Sequence, residues 1–276
     1  MAKWKFKLPF LNNKKNKSSH GHSRRNYFLV DSSSPFAMRE AYKSARTNLL
    51  SILSVCEDAP KHFCFTSPEM ADGKTLNCSN MALSFAEMGA KVLIIDADMR
   101  KPKLHRVFKT PISPGLSDYL GNFCDLEMAI HPYESVEGLY VMASGKLPPN
   151  PTELILSSKF NHLMTLLEEK FDYVFIDAPP VCVVTDASII AKKTLGAVLV
   201  CRSGNTRSDL AKRAKLEVEQ AGGKVLCVLL NGVDFGKSQG YTTKNYKYYK
   251  YRYYSHAYAD TPDEHGSDKT SKTDNE

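Results

Sequence analysis

No apolar run in this chain is long enough to cross a bilayer, and lysines interrupt Met1 to Phe10 before the core of a secretory signal could form. A cytoplasmic protein is therefore expected. The seven cysteines, at 56, 64, 78, 124, 182, 201 and 227, include no C-x-x-C pair, which argues against a zinc site and against a disulfide framework. Acidic residues are missing from the first 25 positions, which carry eight Lys or Arg, so they supply +8 to a net charge of +7 and the rest sums to −1. The body is thus no basic surface for nucleic acid, and no nucleic-acid partner is expected. After Asn231 no apolar period of 3.6 or 2.0 organises the sequence.

The informative stretch lies between His62 and Arg100. An apolar, β-rich run, His62-Phe63-Cys64-Phe65-Thr66, enters a short loop, Ser67-Pro68-Glu69-Met70-Ala71-Asp72-Gly73-Lys74-Thr75, and a helical pattern follows from Leu76 to Met88. This is the layout of a phosphate-binding loop. Consecutive backbone N–H groups at a helix N-terminus wrap phosphates, the lysine adds a point charge and the hydroxyl reaches Mg²⁺. The usual spacing asks for glycine where Pro68 stands. Two further runs, Lys91 to Asp98 and Tyr173 to Asp177, deliver Asp96, Asp98 and Asp177 at the carboxyl ends of buried strands, the edge at which open α/β sheets bind ligands.

The remaining pattern alternates. Helices are expected over Phe36 to Val55, Thr152 to Glu169, Asp186 to Lys193 and Asp209 to Ala221, and strands over Gly138 to Met142, Ala197 to Cys201 and Lys224 to Leu230. The fold class is therefore α/β, a P-loop NTPase-like, mostly parallel sheet with helices on both faces. Residues 1–34 are expected to be a basic disordered arm, in preference to a membrane-surface segment. Residues 35–236 form the P-loop domain, and 237–276 a disordered tail. That tail holds Tyr241, Tyr246, Tyr248, Tyr249, Tyr251, Tyr253, Tyr254 and Tyr258. Eight tyrosines attached to a nucleotide site suggest phosphoacceptors.

These residues resemble the bacterial tyrosine kinases of capsular and exopolysaccharide synthesis, in the form whose kinase is a separate cytosolic chain. The loop ending Gly73-Lys74-Thr75, the second Walker-type motif Ile95 to Arg100 with Pro102 and Leu104-His105, and the Walker B strand ending Asp177-Ala178-Pro179-Pro180 carry the resemblance. Gly145 with Pro148 to Leu154, and the tyrosine cluster, add to it. Two departures matter. The family's loop usually has Pro-Gly where Met70-Ala71 stands, so alanine occupies a position that calls for left-handed backbone. The family's Glu-x-x-Arg-x-x-Arg becomes Glu40, Lys43 and Arg46, and lysine cannot reproduce arginine's bidentate contact.

The resemblance implies an ATP- and Mg²⁺-dependent protein-tyrosine kinase that phosphorylates its own tail and regulates polysaccharide synthesis and export. Ser67, Ala71, Asp72, Gly73, Lys74 and Thr75 would hold the phosphates; Thr75, Asp98 and Asp177 the metal; and Asp96 would orient or deprotonate the incoming tyrosine. It implies a homo-oligomeric ring through Glu40, Lys43 and Arg46, a membrane-anchored co-polymerase whose cytosolic tail activates the kinase at the inner membrane face, and a cognate tyrosine phosphatase. The alternatives are a partitioning-type nucleotide-switch ATPase, which typically carries a second lysine where Glu69 stands, and an inactive nucleotide-binding scaffold.

Overall fold

The computed structural model describes the backbone of residues 5–9 and all of residues 29–56 and 60–233. The chain divides into two units, Met1–Asp234 and Phe235–Glu276. The tyrosine cluster lies outside the described residues.

One eight-stranded sheet organises the first unit. Its strands are β1 (Lys5–Pro9), β2 (His62–Thr66), β3 (Val92–Asp96), β4 (His131–Pro132), β5 (Leu139–Met142), β6 (Tyr173–Asp177), β7 (Gly196–Arg202) and β8 (Val225–Val233), in the order β1-β8-β7-β2-β6-β3-β5-β4. Every pairing is parallel except β4 with β5. The parallel strands are covered on both faces, which is why β2, β3 and β6 read as unbroken apolar runs. Their side chains still alternate. Phe63, Phe65, Ile94 and Phe175 enter the core shared with α1 (Phe36–Leu53) and α2 (Lys74–Ala86). Cys64, Leu93, Ile95 and Ile176 enter the opposite core, with α7 (Ser158–Lys170), α8 (Asp186–Lys192) and α9 (Ser208–Gln220). Beneath α2, Phe85 packs edge-on to Phe175 at 5.1 Å between ring centres, so the helix that starts at the phosphate loop is seated on rigid aromatics.

The structure departs from the sequence reading in three places. No element was expected before Ser32, yet Lys5–Pro9 forms strand β1 beside Val228–Val233 of β8, and the Val30 N–H donates to Asn80 Oδ1 at 2.8 Å. A parallel sheet edge leaves unpaired N–H and C=O groups, and the alternating Lys-Phe-Lys-Leu sequence suits a strand that covers them. The helix expected from Thr152 to Glu169 is two, α6 (Pro151–Leu156) and α7, because Ser157 is extended at φ −61°, ψ 154° and its hydroxyl caps the Phe160 N–H at 3.2 Å. Short helical turns α3 (Leu104–Val107), α4 (Leu116–Leu120) and α5 (Leu126–Ala129) fill the region after β3, where the sequence suggests a basic loop from Arg100 to Arg106 and one helical turn from Leu116 to Leu120.

The cysteines form no disulfide among the described residues, and burial pushes the Cys64 and Cys78 thiols well above their ordinary pKa. They act as apolar packing. No helix among the described residues is long and apolar enough to cross a membrane.

Candidate active site

The site forms where β2, β3 and β6 end side by side. In-register pairing sets Asp96 opposite Asp177, and Phe65 opposite Asp177, so three strand ends open at one level. The loop from Ser67 is tied to β6 by two backbone bonds: the Ala178 N–H donates to the Phe65 carbonyl at 2.9 Å and the Val181 N–H to that of Ser67 at 2.9 Å. The Thr66 hydroxyl adds a 2.7 Å bond to the Pro179 carbonyl. Gly73, at φ 97°, turns the chain into α2, and a Cβ there would stand 2.2 Å from Asn231 Nδ2. The left-handed φ is what calls for glycine there, since the amide end of Asn231 could shift.

Lys74 is buried between two carboxylates, with Nζ 3.0 Å from Asp98 Oδ2 and 3.2 Å from Asp177 Oδ1. Burial pulls its ammonium down, but the charges of Asp177, Asp98 and Asp96 together outweigh burial and hold it above its ordinary value. Asp96 is fully buried. Its Oδ2 accepts the Lys103 and Leu104 N–H groups at 2.8 and 2.9 Å, and Oδ1 accepts the Asp98 N–H at 3.2 Å. It thereby anchors the basic turn α3. Burial, followed by the Asp177 charge, raises its carboxyl to about 7 against those hydrogen bonds. Burial also raises Asp177, against the pull of Lys74.

Three buried carboxylates against one buried ammonium leave a formal excess of two negative charges, which a divalent cation would neutralise. Two oxygen atoms at this point, Thr75 Oγ1 and Asp177 Oδ2, are buried close to each other and bond no third group among the described residues. Hard oxygen donors of this kind suit Mg²⁺, which keeps much of its hydration and takes phosphate oxygens as further ligands. The residues present therefore fit that ion with a nucleotide.

The expected phosphate-binding residues are brought together as a loop, and Ala71 does adopt left-handed backbone, at φ 70°, a strain of about 1–2 kcal/mol for a residue with a Cβ. Asp72 is buried too. Its Oδ2 accepts the Glu69 N–H at 3.2 Å and Oδ1 the Thr206 hydroxyl at 2.8 Å; burial raises its pKa in spite of them. On α1, Glu40 pairs with Lys43 at 2.9 Å near the surface, whereas half-buried Arg46 donates to the Ser84 carbonyl of α2.

Several contributors lay outside the sequence reading. Arg202 at the end of β7, Asn205 and Thr206 after it, and Asn231 in β8 all touch Ala71 or Asp72. The Arg100 guanidinium donates to Asp186 Oδ2 at 3.1 Å and to the Thr152 hydroxyl at 3.0 Å, which in turn donates to Asp186 Oδ1 at 2.6 Å; this fixes the proline-rich segment beside β3. A signal for the first group existed: polar residues at the ends of β7 and β8 occupy the same sheet edge as Asp96 and Asp177.

A parallel sheet whose strand ends carry a phosphate loop, a buried lysine and three carboxylates defines a P-loop NTPase-like protein. A family model described as an AAA domain matches residues 71–201. Tyrosine-protein kinase CpsD of Streptococcus agalactiae is 37% identical over 196 residues, covering 71% of this chain and 83% of that one. Tyrosine-protein kinase YwqD of Bacillus subtilis is 35% identical over 202 residues, covering 73% and 84%. The solved kinase domain of Escherichia coli tyrosine kinase ETK superposes with a TM-score of 0.74 at 28% identity, over 86% of this chain and 92% of that one. The chain belongs to the bacterial tyrosine kinases of capsular and exopolysaccharide synthesis.

Proposed function

We propose that this chain transfers the γ-phosphoryl group of ATP to tyrosine hydroxyls, its own C-terminal cluster from Tyr241 to Tyr258 included. The observation that carries the reading is Lys74 held between Asp98 and Asp177, with the buried Thr75 hydroxyl beside them. On this reading the N–H groups of the loop from Ser67 to Thr75 take the phosphate oxygens, and Lys74 exchanges its carboxylate partners for the β- and γ-phosphates. Thr75, Asp98 and Asp177 would hold Mg²⁺. Bound there, the ion supplies charge neutralisation on the phosphate oxygens.

Asp96 takes the remaining role. As the tyrosine oxygen bonds to the γ-phosphorus, the phenolic proton passes to Asp96 and the bond to the bridging oxygen breaks, releasing ADP. Burial raises the Asp96 carboxyl, the direction a general base needs, and its Oδ1 accepts the Asp98 N–H. Partners follow from the family: a ring of like chains through α1, a membrane-anchored co-polymerase whose cytosolic tail activates the kinase, and a phosphatase that resets it. One observation favours a second reading, a nucleotide-binding scaffold with weak transfer: Ala71 at φ 70° is strained where glycine would not be.

The test is ATP-dependent phosphotyrosine on the full chain with Mg²⁺. Lys74→Met should lower labelling by about 10²–10³-fold with the fold retained by circular dichroism. Near-normal labelling by the mutant would overturn the loop assignment, and no labelling by the wild type even with an activating tail would leave the scaffold reading in its place.

A further inference from the structure

Ala71 and Asp72 are gripped from the two strands on the other side of β2. Arg202 Nη1 donates to the Ala71 carbonyl at 3.2 Å. The Thr206 hydroxyl accepts the Arg202 backbone N–H at 2.7 Å and passes its own hydrogen to Asp72 Oδ1 at 2.8 Å, with Asn205 Nδ2 at 3.5 Å from the same oxygen. Asn231 Nδ2 donates to the Asp72 carbonyl at 2.9 Å. Both backbone carbonyls of the pair, and the Asp72 side chain, are thus held by groups outside the loop.

The held segment is the one that would not keep its shape unaided. At φ 70° Ala71 lies in a region that glycine enters freely and alanine does not. Relaxation of Ala71 to negative φ would swing the following peptide and redirect the N–H groups that enter α2 at Gly73. Resting on the nucleotide-binding reading above, we propose that Thr206, Arg202 and Asn231 are positioning residues: they hold Ala71 left-handed and so keep the loop shaped for phosphate, a brace that stands in for the glycine this loop lacks. Without the brace the loop is competent for only a fraction of the time, and the affinity falls by that fraction. With glycine at position 71 the brace becomes dispensable. A purely structural role for Thr206 gives no such dependence on residue 71.

The experiment is a double-mutant cycle on the full chain, with Mg-ADP affinity by calorimetry and melting temperature measured for each variant. Thr206→Val, which removes the hydroxyl at nearly constant volume, should weaken Mg-ADP binding about tenfold, and Thr206→Ser should restore it. In the Ala71→Gly background the same Thr206→Val change should cost no more than about twofold. Arg202→Gln, at a partly exposed position, provides a second cycle should Thr206→Val fail to fold. Equal losses in the alanine and glycine backgrounds would overturn the brace while leaving nucleotide binding intact. A wild-type chain that binds no Mg-ADP would overturn the nucleotide reading, and the brace with it.

Discussion

Strand β2 has two flanks, and the loop that follows it depends on both in different ways. On one side β6 and β3 bring carboxylates to Lys74 and Thr75; on the other β7 and β8 bring Arg202, Thr206 and Asn231 to Ala71 and Asp72. The first flank is electrostatic, with an excess of buried negative charge that fits a cation. The second is geometric, made of neutral and cationic donors that fix backbone shape. A residue before Gly73 and a residue after it thus answer to different strands. The division predicts that the two flanks fail in distinguishable ways.

Telling them apart first requires a measure of whole-fold stability that neither flank sets. His62, at the opposite end of β2, provides one: it is buried, its Nδ1 has no hydrogen-bond partner among the described residues, and burial lowers its pKa from 6.5 to about 4. A depressed histidine is neutral in the fold while the unfolded chain still binds the proton. Its contribution is therefore complete above pH 6.5 and is lost as pH falls from 6.5 toward 4, by an amount on the order of 3 kcal/mol. The raised carboxylates Asp96 and Asp177 pull the opposite way, so the effect is read as the difference between wild type and His62→Gln in denaturant melts at each pH. A difference that does not change over that window would show that His62 is protonated or solvated in the fold. Against this control, Asp98→Asn should cut Mg²⁺-dependent nucleotide affinity about 10–100-fold and leave Mg²⁺-free binding little changed. Thr206→Val should weaken both together. Equal loss with and without Mg²⁺ in Asp98→Asn would erase the division between the flanks.

The same division marks what could be read from the sequence. Strands β2, β3 and β6 were legible because burial on both faces makes them continuous apolar runs, and their terminal aspartates stand out against that background. Ala71 was legible as a departure, since left-handed backbone disfavours any Cβ. The brace was not, because Thr206 and Asn231 reach Asp72 across 134 and 159 residues of chain and are ordinary loop residues until the strand order is known. The break at Ser157 was hidden by continuous helical spacing on either side of it. Strand β1 was hidden by its own basic composition, which reads as a solvated arm until β8 offers an edge.

On α1 the smaller effects begin. Glu40 and Lys43 form a near-surface pair, so exchanging them as Glu40→Lys with Lys43→Glu keeps the intrachain pair while reversing what a neighbouring chain would meet. Light scattering should show a shift toward monomer, and an unchanged mass distribution would remove this helix from the proposed ring. Arg46 is a poorer probe, because its guanidinium also holds the Ser84 carbonyl, and its loss would loosen α1 from α2 within one chain.

The weakest and most salt-sensitive effect concerns the chain that follows the geometric flank. β8 passes through Asn231, which holds the loop at Asp72, and ends at Val233; the tyrosine-rich residues come after it. Residues 237–276 carry seven Lys or Arg and six Asp or Glu, a net charge of +1. Phosphorylating the eight clustered tyrosines would add about −12 to −16, at −1.5 to −2 each. In a ring of like chains such segments repel, and the repulsion falls once the screening length, about 10 Å at 0.1 M salt, drops below the distance between them. Phosphorylation should therefore shift mass toward monomer at low salt, less so near 0.5 M, and phosphatase treatment should reverse it. The modification itself is separated from its consequence by mixing a tailless active chain with a full-length Lys74→Met chain. Phosphotyrosine on the inactive partner would show transfer between chains, and labelled protein that kept its full oligomeric mass at low salt would sink the charge switch while leaving the kinase reading untouched.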